Sequence, residues 1–171
     1  MDLGWCAANP ELAERDWQNC SQFVPHQEEI AAMLGLGSTP SGLWPPMHDP
    51  RVAALIALSP DGDIWGAEYQ GVASLMVPTL IMGGTNDKID IPELCAYPIY
   101  EHLGSKEKSL VMLQGARHGL SWDTYSKEIK HIVIAFLLAK LKDDPQAAQA
   151  LLPENMNLPS VNYETTVTST E

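Results

Sequence analysis

Three short apolar runs lie in the middle of the chain, at 52–58, 78–82 and 110–113, and turn-forming residues follow each run. Runs of this length that are apolar on both faces are typical of strands in a parallel sheet covered by helices. Between the second and third runs, residues 92–103 have a helical pattern that Gly104 closes. The order strand, helix, strand predicts an α/β fold of about three parallel strands with a right-handed crossover.

A long amphipathic helix is predicted from Trp122 to Lys142, after the third apolar run. Its apolar side chains recur at helical spacing: Ile129, Ile132, Val133, Phe136, Leu137 and Leu141. Residues 143–171 are mostly polar and show no period, so we expect a flexible tail there. The α/β portion is therefore expected to span residues 49–142.

Residues 1–48 show no strand-like alternation and are expected to form a separate helical segment. One helix is predicted to begin at Asn9-Pro10-Glu11, where an N-cap residue, a proline and an acidic residue follow one another. A second helix is predicted from Gln27 to Leu36, ending at Gly35 or Gly37. A loop rich in turn formers follows at 37–42.

The charge balance limits the classes of partner. The 171 residues include 22 acidic and 10 basic side chains, which gives a net charge of −12. Such a surface repels phosphates and anionic lipid head groups, so we expect no nucleic-acid partner. No apolar run reaches the ~18 residues of a membrane span, and the first residues do not resemble a signal peptide. These features do not identify the cellular compartment.

The three cysteines allow two interpretations. Cys6 and Cys20 lie close enough in the sequence to form a disulfide, which would indicate an extracytoplasmic protein. Two reduced thiols are the alternative. Cys95 lies in a helical run and is expected to be a small core residue.

Two candidate catalytic residues follow strands of the predicted sheet. Asp87 comes after the run ending at Met82, through Gly-Gly-Thr-Asn, and His118 comes after the run ending at Leu113. Ligands bind outside the carboxyl ends of parallel strands, where both residues are expected. An acid followed by a histidine is also the chain order of a Ser-Asp-His hydrolase triad. Asp90 and Asp61 are rival candidates for the acid.

With these residues in place, the chain resembles the C-terminal half of an α/β-hydrolase, and most closely the dienelactone-hydrolase-like and platelet-activating-factor-acetylhydrolase-like esterases. The resemblance covers residues 49–140 and is carried by three segments: DPRVAALIALSP (49–60), VPTLIMGGTND (77–87) and GARH (115–118). In this family the segments are the sixth strand, the seventh strand with the acid, and the end of the eighth strand with the histidine. The resemblance implies that Asp87 orients His118 and that His118 acts as general base. Residues 1–48 are similar to the helical excursion that precedes the sixth strand.

The nucleophile of that family is missing from this sequence. No G-x-S-x-G occurs in the 171 residues, and the resemblance places the first five strands and the oxyanion-hole donors upstream. Four serines are alternative nucleophiles, and none of them is expected to replace the missing one: Ser38, Ser41, Ser59 and Ser121. No zinc-protease motif, C-x-x-C or P-loop is present, and the five histidines are scattered, so neither a metal nor an organic cofactor is expected.

These features predict part of a serine carboxyl-ester hydrolase, which supplies Asp87 and His118 to a nucleophile outside this chain. The alternative is a non-catalytic hydrolase remnant that binds a partner or itself. A βαβ domain unrelated to hydrolases is a third possibility, and it requires Asp87 and His118 to lie far apart. The run at 52–58 would be an uncovered apolar sheet edge. We therefore expect a complementing chain, a second copy of this chain, or the 1–48 helices to cover it.

Overall fold

The computed structural model describes residues 2–8, 22–45, 49–62, 65 and 67–168. Its helices are α1 (Leu3–Ala8), α2 (Gln27–Met33), α3 (Ala96–His102), α4 (Trp122–Leu141) and α5 (Pro145–Ala150). Its strands are β1 (Leu55–Leu58), β2 (Thr79–Gly84), β3 (Lys108–Leu113) and β4 (Val161–Thr165). Short 3₁₀ segments lie at Val24–His26, Ala67–Ser74 and His118–Ser121.

The four strands form one open sheet in the order β1-β2-β3-β4. β1, β2 and β3 are parallel, with Leu58 opposite Met82 and Gly84 opposite Leu113. β4 runs antiparallel to β3. The α/β class and the three parallel strands expected from the sequence are confirmed.

Both faces of the sheet are covered, which explains why β2 and β3 are apolar along almost their whole length. On one face, Leu80, Met82, Val111 and Leu113 pack against α4 and α5. On the other face, Ile81, Leu110 and Met112 pack against α3 and the 67–74 segment. Alternate side chains of each strand thus enter different cores.

The tail differs from the sequence expectation, because residues 145–165 contain a helix and a strand instead of a flexible segment. Pro145 begins α5, and the Asp144 carboxylate caps it by accepting hydrogen bonds from the N–H groups of Gln146 and Ala147, at 2.9 and 3.0 Å. In β4, half-buried Val161 and Tyr163 alternate with exposed Asn162 and Glu164. An edge strand with one covered face has only this weak period, which explains why the sequence reads as patternless.

Two further elements are shorter than expected. β1 includes only residues 55–58 of the 52–58 run, and α3 begins at Ala96 after a turn over residues 92–95. Lys108 at the start of β3 terminates α3, since its ammonium group donates to the carbonyl oxygens of Tyr100, Glu101 and Leu103 at 2.7, 3.2 and 3.1 Å. Burial lowers the pKa of Lys108.

The N-terminal segment forms its own small core, in which Leu3 and Cys6 of α1 pack with Ala31 of α2 and with Trp44. The helix predicted from Gln27 is confirmed, whereas the helix predicted from Asn9 lies outside the described residues. Cys6 is disulfide-bonded, and Cys20 lies outside the described residues. Cys95 is a buried thiol, as expected.

One sheet edge is formed by β1, which within the described residues pairs only with β2. Val52 and Leu58, at the two ends of this run, are 48% and 49% exposed. The apolar edge expected from the sequence is therefore present, and what covers it stays a prediction. None of the described helices combines the length and the hydropathy that crossing a membrane requires.

Candidate active site

Hydrogen bonds join the loops that follow β2 and β3. The N–H groups of Thr85 and Asn86 donate to the carbonyl oxygens of Leu113 and Ala116, at 3.0 and 2.9 Å, and the N–H of Gly115 donates to Thr85 Oγ1 at 2.7 Å. At the end of β2, a Cβ on Gly84 would collide with the Ala116 carbonyl oxygen. Glycine is required there because the two loops approach so closely, and this approach brings the acid and the histidine together.

Asp87 and His118 form a hydrogen-bonded pair, with 3.2 Å between Asp87 Oδ2 and His118 Nδ1. The Asp87 side chain is 2% exposed and the His118 side chain is 44% exposed. The other Asp87 oxygen, Oδ1, accepts hydrogen bonds from the N–H groups of Ile89 and Asp90, at 2.9 and 3.1 Å. Asp87 is therefore fixed by its own loop, and it holds a histidine that reaches solvent.

Of the two rival acids, only Asp90 reaches the histidine. Asp90 Oδ2 lies 3.3 Å from His118 Nδ1, almost as close as Asp87. Asp61 has no contact of this kind and groups instead with Asp90 and Cys95. From the sequence, Asp87 and Asp90 are alternative candidates for the triad acid. In the structure, both carboxylates face Nδ1 of His118.

The turn that carries His118 has an unusual backbone. Gly119, Leu120 and Ser121 have φ angles of 72°, 62° and 45°, all in the left-handed region. This conformation is unfavourable for Leu120 and Ser121 because their side chains crowd the backbone, at a cost of about 1–3 kcal/mol each. Leu120 is buried in the core beneath α4, so packing holds the strained turn and with it the orientation of the imidazole.

Within the described residues, no serine hydroxyl makes a hydrogen bond to the His118 ring. Both polar contacts of the ring, to Asp87 and Asp90, are made by Nδ1, and within the described residues Nε2 has none. Ser121 Oγ accepts a hydrogen bond from the Arg117 N–H at 2.9 Å. Ser59 directly follows β1, and its buried Oγ has no hydrogen-bond partner among the described residues.

Two groups of side chains bring possible metal ligands together: Asp87, Asp90 and His118 in one, and Asp61, Asp90 and Cys95 in the other. Within each group the ligand atoms lie within 4.8 Å of one another. Carboxylates often gather at a protein surface without an ion, and in the first group the hydrogen bonds of Asp87 already account for the geometry. The expectation of no metal stays a prediction.

A cavity of about 400 Å³ lies elsewhere, between α3 and β4. Tyr97, Leu110, Met112 and Glu164 are among its lining residues, while Asp87 and His118 are not. Burial, and secondarily the nearby Glu93 and Glu164 carboxylates, raises the pKa of Tyr97. Asp87 and His118 therefore lie outside this cavity.

Residues 32–168 match the family described as PET hydrolase-like. This match includes all four strands and the loops that carry Asp87 and His118. A search of curated proteins found no match. The 3.2 Å contact between Asp87 and His118 contradicts a βαβ domain unrelated to hydrolases, which required the two residues to be far apart. The fold and the extent of the match together show that the chain belongs to the PET hydrolase-like family, with an α/β-hydrolase fold of the dienelactone-hydrolase-like type.

Proposed function

We propose that this chain supplies the acid and the general base of a serine carboxyl-ester hydrolase. The observation that supports this function best is the buried Asp87 carboxylate beside His118 Nδ1, together with an Nε2 that has no polar partner among the described residues. A carboxylate on Nδ1 keeps the proton there and leaves the Nε2 lone pair to accept a proton from a nucleophile. In this role His118 activates a serine and later protonates the leaving alcohol.

The nucleophile and the oxyanion hole lie outside these 171 residues. The lack of G-x-S-x-G in the sequence supports this, and so does the absence of a hydrogen bond from the described Ser59 and Ser121 hydroxyl groups to the imidazole. A serine hydroxyl without a base is a poor nucleophile, and a base without a serine cannot form an acyl-enzyme. The expected substrate is a small or medium carboxylic ester, hydrolysed without a metal or organic cofactor.

A complementing polypeptide would dock along β1. The outer edge of β1 supports this surface, because it has no strand neighbour among the described residues. Separately, α4 presents to solvent apolar side chains that a larger partner could cover. These side chains are Ile134, Leu137, Leu138 and Leu141. Adding strands to an open edge satisfies its backbone hydrogen bonds, and the same partner can carry a serine to the carboxyl ends of the strands.

Co-expression tests this proposal. The partner is a polypeptide with the first five strands and G-x-S-x-G elbow of a PET hydrolase-like enzyme, and the readout is p-nitrophenyl butyrate hydrolysis. We expect turnover from the purified pair and none from either part alone. Turnover by this chain alone at the rate of the pair would contradict the external nucleophile.

The second candidate is a non-catalytic remnant that binds a partner or a second copy of itself. The open β1 edge supports this function equally well, since strand pairing needs no chemistry. The same experiment separates the two: a pair that co-purifies as a stable complex but hydrolyses no ester favours the remnant. A chain that runs as a monomer at micromolar concentration, with and without the partner, would count against both.

A further inference from the structure

Two carboxylates lie beside one ring nitrogen of His118, whereas the acid of a Ser-Asp-His triad supplies one. Asp87 Oδ2 and Asp90 Oδ2 lie 3.2 and 3.3 Å from Nδ1. A carboxylate can only accept a hydrogen bond, so two of them on one side of the ring both favour a proton on Nδ1. We propose that Asp90 is a second positioning acid, which shares the Nδ1–H of His118 with Asp87 and can hold it alone.

The backbone places Asp90 at the ring through Asp87 itself. Asp87 Oδ1 accepts the N–H groups of Ile89 and Asp90, which folds residues 87–90 into a turn of the Asx type. This turn brings the side chain at position 90 back beside the side chain at position 87. The spacing Asp-x-x-Asp thus presents two carboxylates to the same nitrogen.

Burial makes the second carboxylate effective. The Asp90 side chain is 11% exposed, against 44% for His118, so solvent screens this contact less than a contact at the open surface. Asp61 and Cys95 also have polar side-chain atoms within 4.8 Å of the Asp90 carboxylate. A carboxylate beside the ring favours a positively charged neighbour such as the imidazolium that forms during ester hydrolysis.

The expected consequence is redundancy. In a triad with one acid, conversion of that acid to its amide leaves the histidine in the wrong tautomer. Here the loss of either carboxylate leaves the other on Nδ1. This inference rests on the proposed function, in which Nε2 must carry the lone pair, but it can be tested without any catalysis.

The test is the tautomer of His118 in the full chain, read from two- and three-bond ¹H–¹⁵N correlations of the ring at a pH where the spectra show a neutral imidazole. The variants are Asp87→Asn, Asp90→Asn and the double variant, with Asp123→Asn, an exposed acid on α4, as the control. We expect Nδ1–H in the unchanged chain, in both single variants and in the control. In the double variant we expect a majority of Nε2–H.

If the His118 tautomer changes to Nε2–H in the Asp87→Asn single variant, the role of Asp90 is overturned and the proposed function stays intact. Retention of Nδ1–H in the double variant would also overturn the role of Asp90. An unchanged chain with Nε2–H would instead contradict the proposed function. If Asp87→Asn does not fold, Asp90→Asn decides: the Nδ1–H proton resonance should shift more than in Asp123→Asn, and an equal shift would overturn the inference.

Discussion

Replacement of His118 by alanine is expected to lower kcat of the complemented hydrolase by about 10⁶-fold, the scale of losing the general base in a serine hydrolase. His118 is the described histidine that combines a buried carboxylate on Nδ1 with an Nε2 available to a nucleophile. Without it nothing takes the serine proton, and the serine remains a weak nucleophile. The measurement is single-turnover and steady-state hydrolysis of p-nitrophenyl butyrate by the purified pair.

His26→Ala is the matched control, because the His26 side chain is 65% exposed and lies in the N-terminal segment, outside α4 and outside the acid and histidine loops. It should leave kcat within about twofold and should not change co-purification with the partner. A His118→Ala pair that is still assembled and still hydrolyses ester at the unchanged rate would remove His118 from the mechanism. If the substitution disrupted the complex, the partner would no longer co-elute with this chain in size-exclusion chromatography. Loss of the general base and loss of assembly can therefore be distinguished.

Replacement of Phe136 by alanine is expected to lower the free energy of unfolding by about 3–5 kcal/mol. Phe136 of α4 is 2% exposed and packs in the core that α4 and α5 form against β2 and β3. Truncation removes apolar contacts and leaves a cavity that a close-packed core fills only in part. Urea unfolding followed by far-UV circular dichroism measures the change.

Ile134→Ala is the control for this substitution, two residues earlier on the same helix. Ile134 is 54% exposed, so its truncation should change the free energy of unfolding of the isolated chain by about 0.5 kcal/mol or less. Equal losses for Phe136→Ala and Ile134→Ala would contradict the assignment of the buried face of α4. If a partner docks on the outer face, Ile134→Ala should weaken that association instead.

The central strands and the proximity of the acid to the histidine could be predicted from the sequence, for physical reasons. β2 and β3 are covered on both faces, so their residues must be apolar in succession, and that pattern is visible without a structure. The proximity of Asp87 and His118 follows from the same pattern, because parallel strands end at the same edge of the sheet. The roles of the two residues in catalysis remain predictions.

The elements that the sequence did not predict depend on contacts distant in the chain. β4 is ordered by pairing with β3 about fifty residues earlier, including a 2.8 Å hydrogen bond between the hydroxyl groups of Ser109 and Thr165. The position of Asp90 at the imidazole depends on the turn at Asp87, and the three left-handed residues after His118 depend on the burial of Leu120. Local patterns do not contain this information.

The most direct test of the account is intact mass spectrometry of the purified pair after treatment with a fluorophosphonate probe, which labels only serines activated by a base. We expect one adduct on the polypeptide that carries G-x-S-x-G, none on this chain, and loss of the adduct when His118 is replaced by alanine. An adduct on this chain would mean that one of its own serines is the nucleophile and would contradict the account.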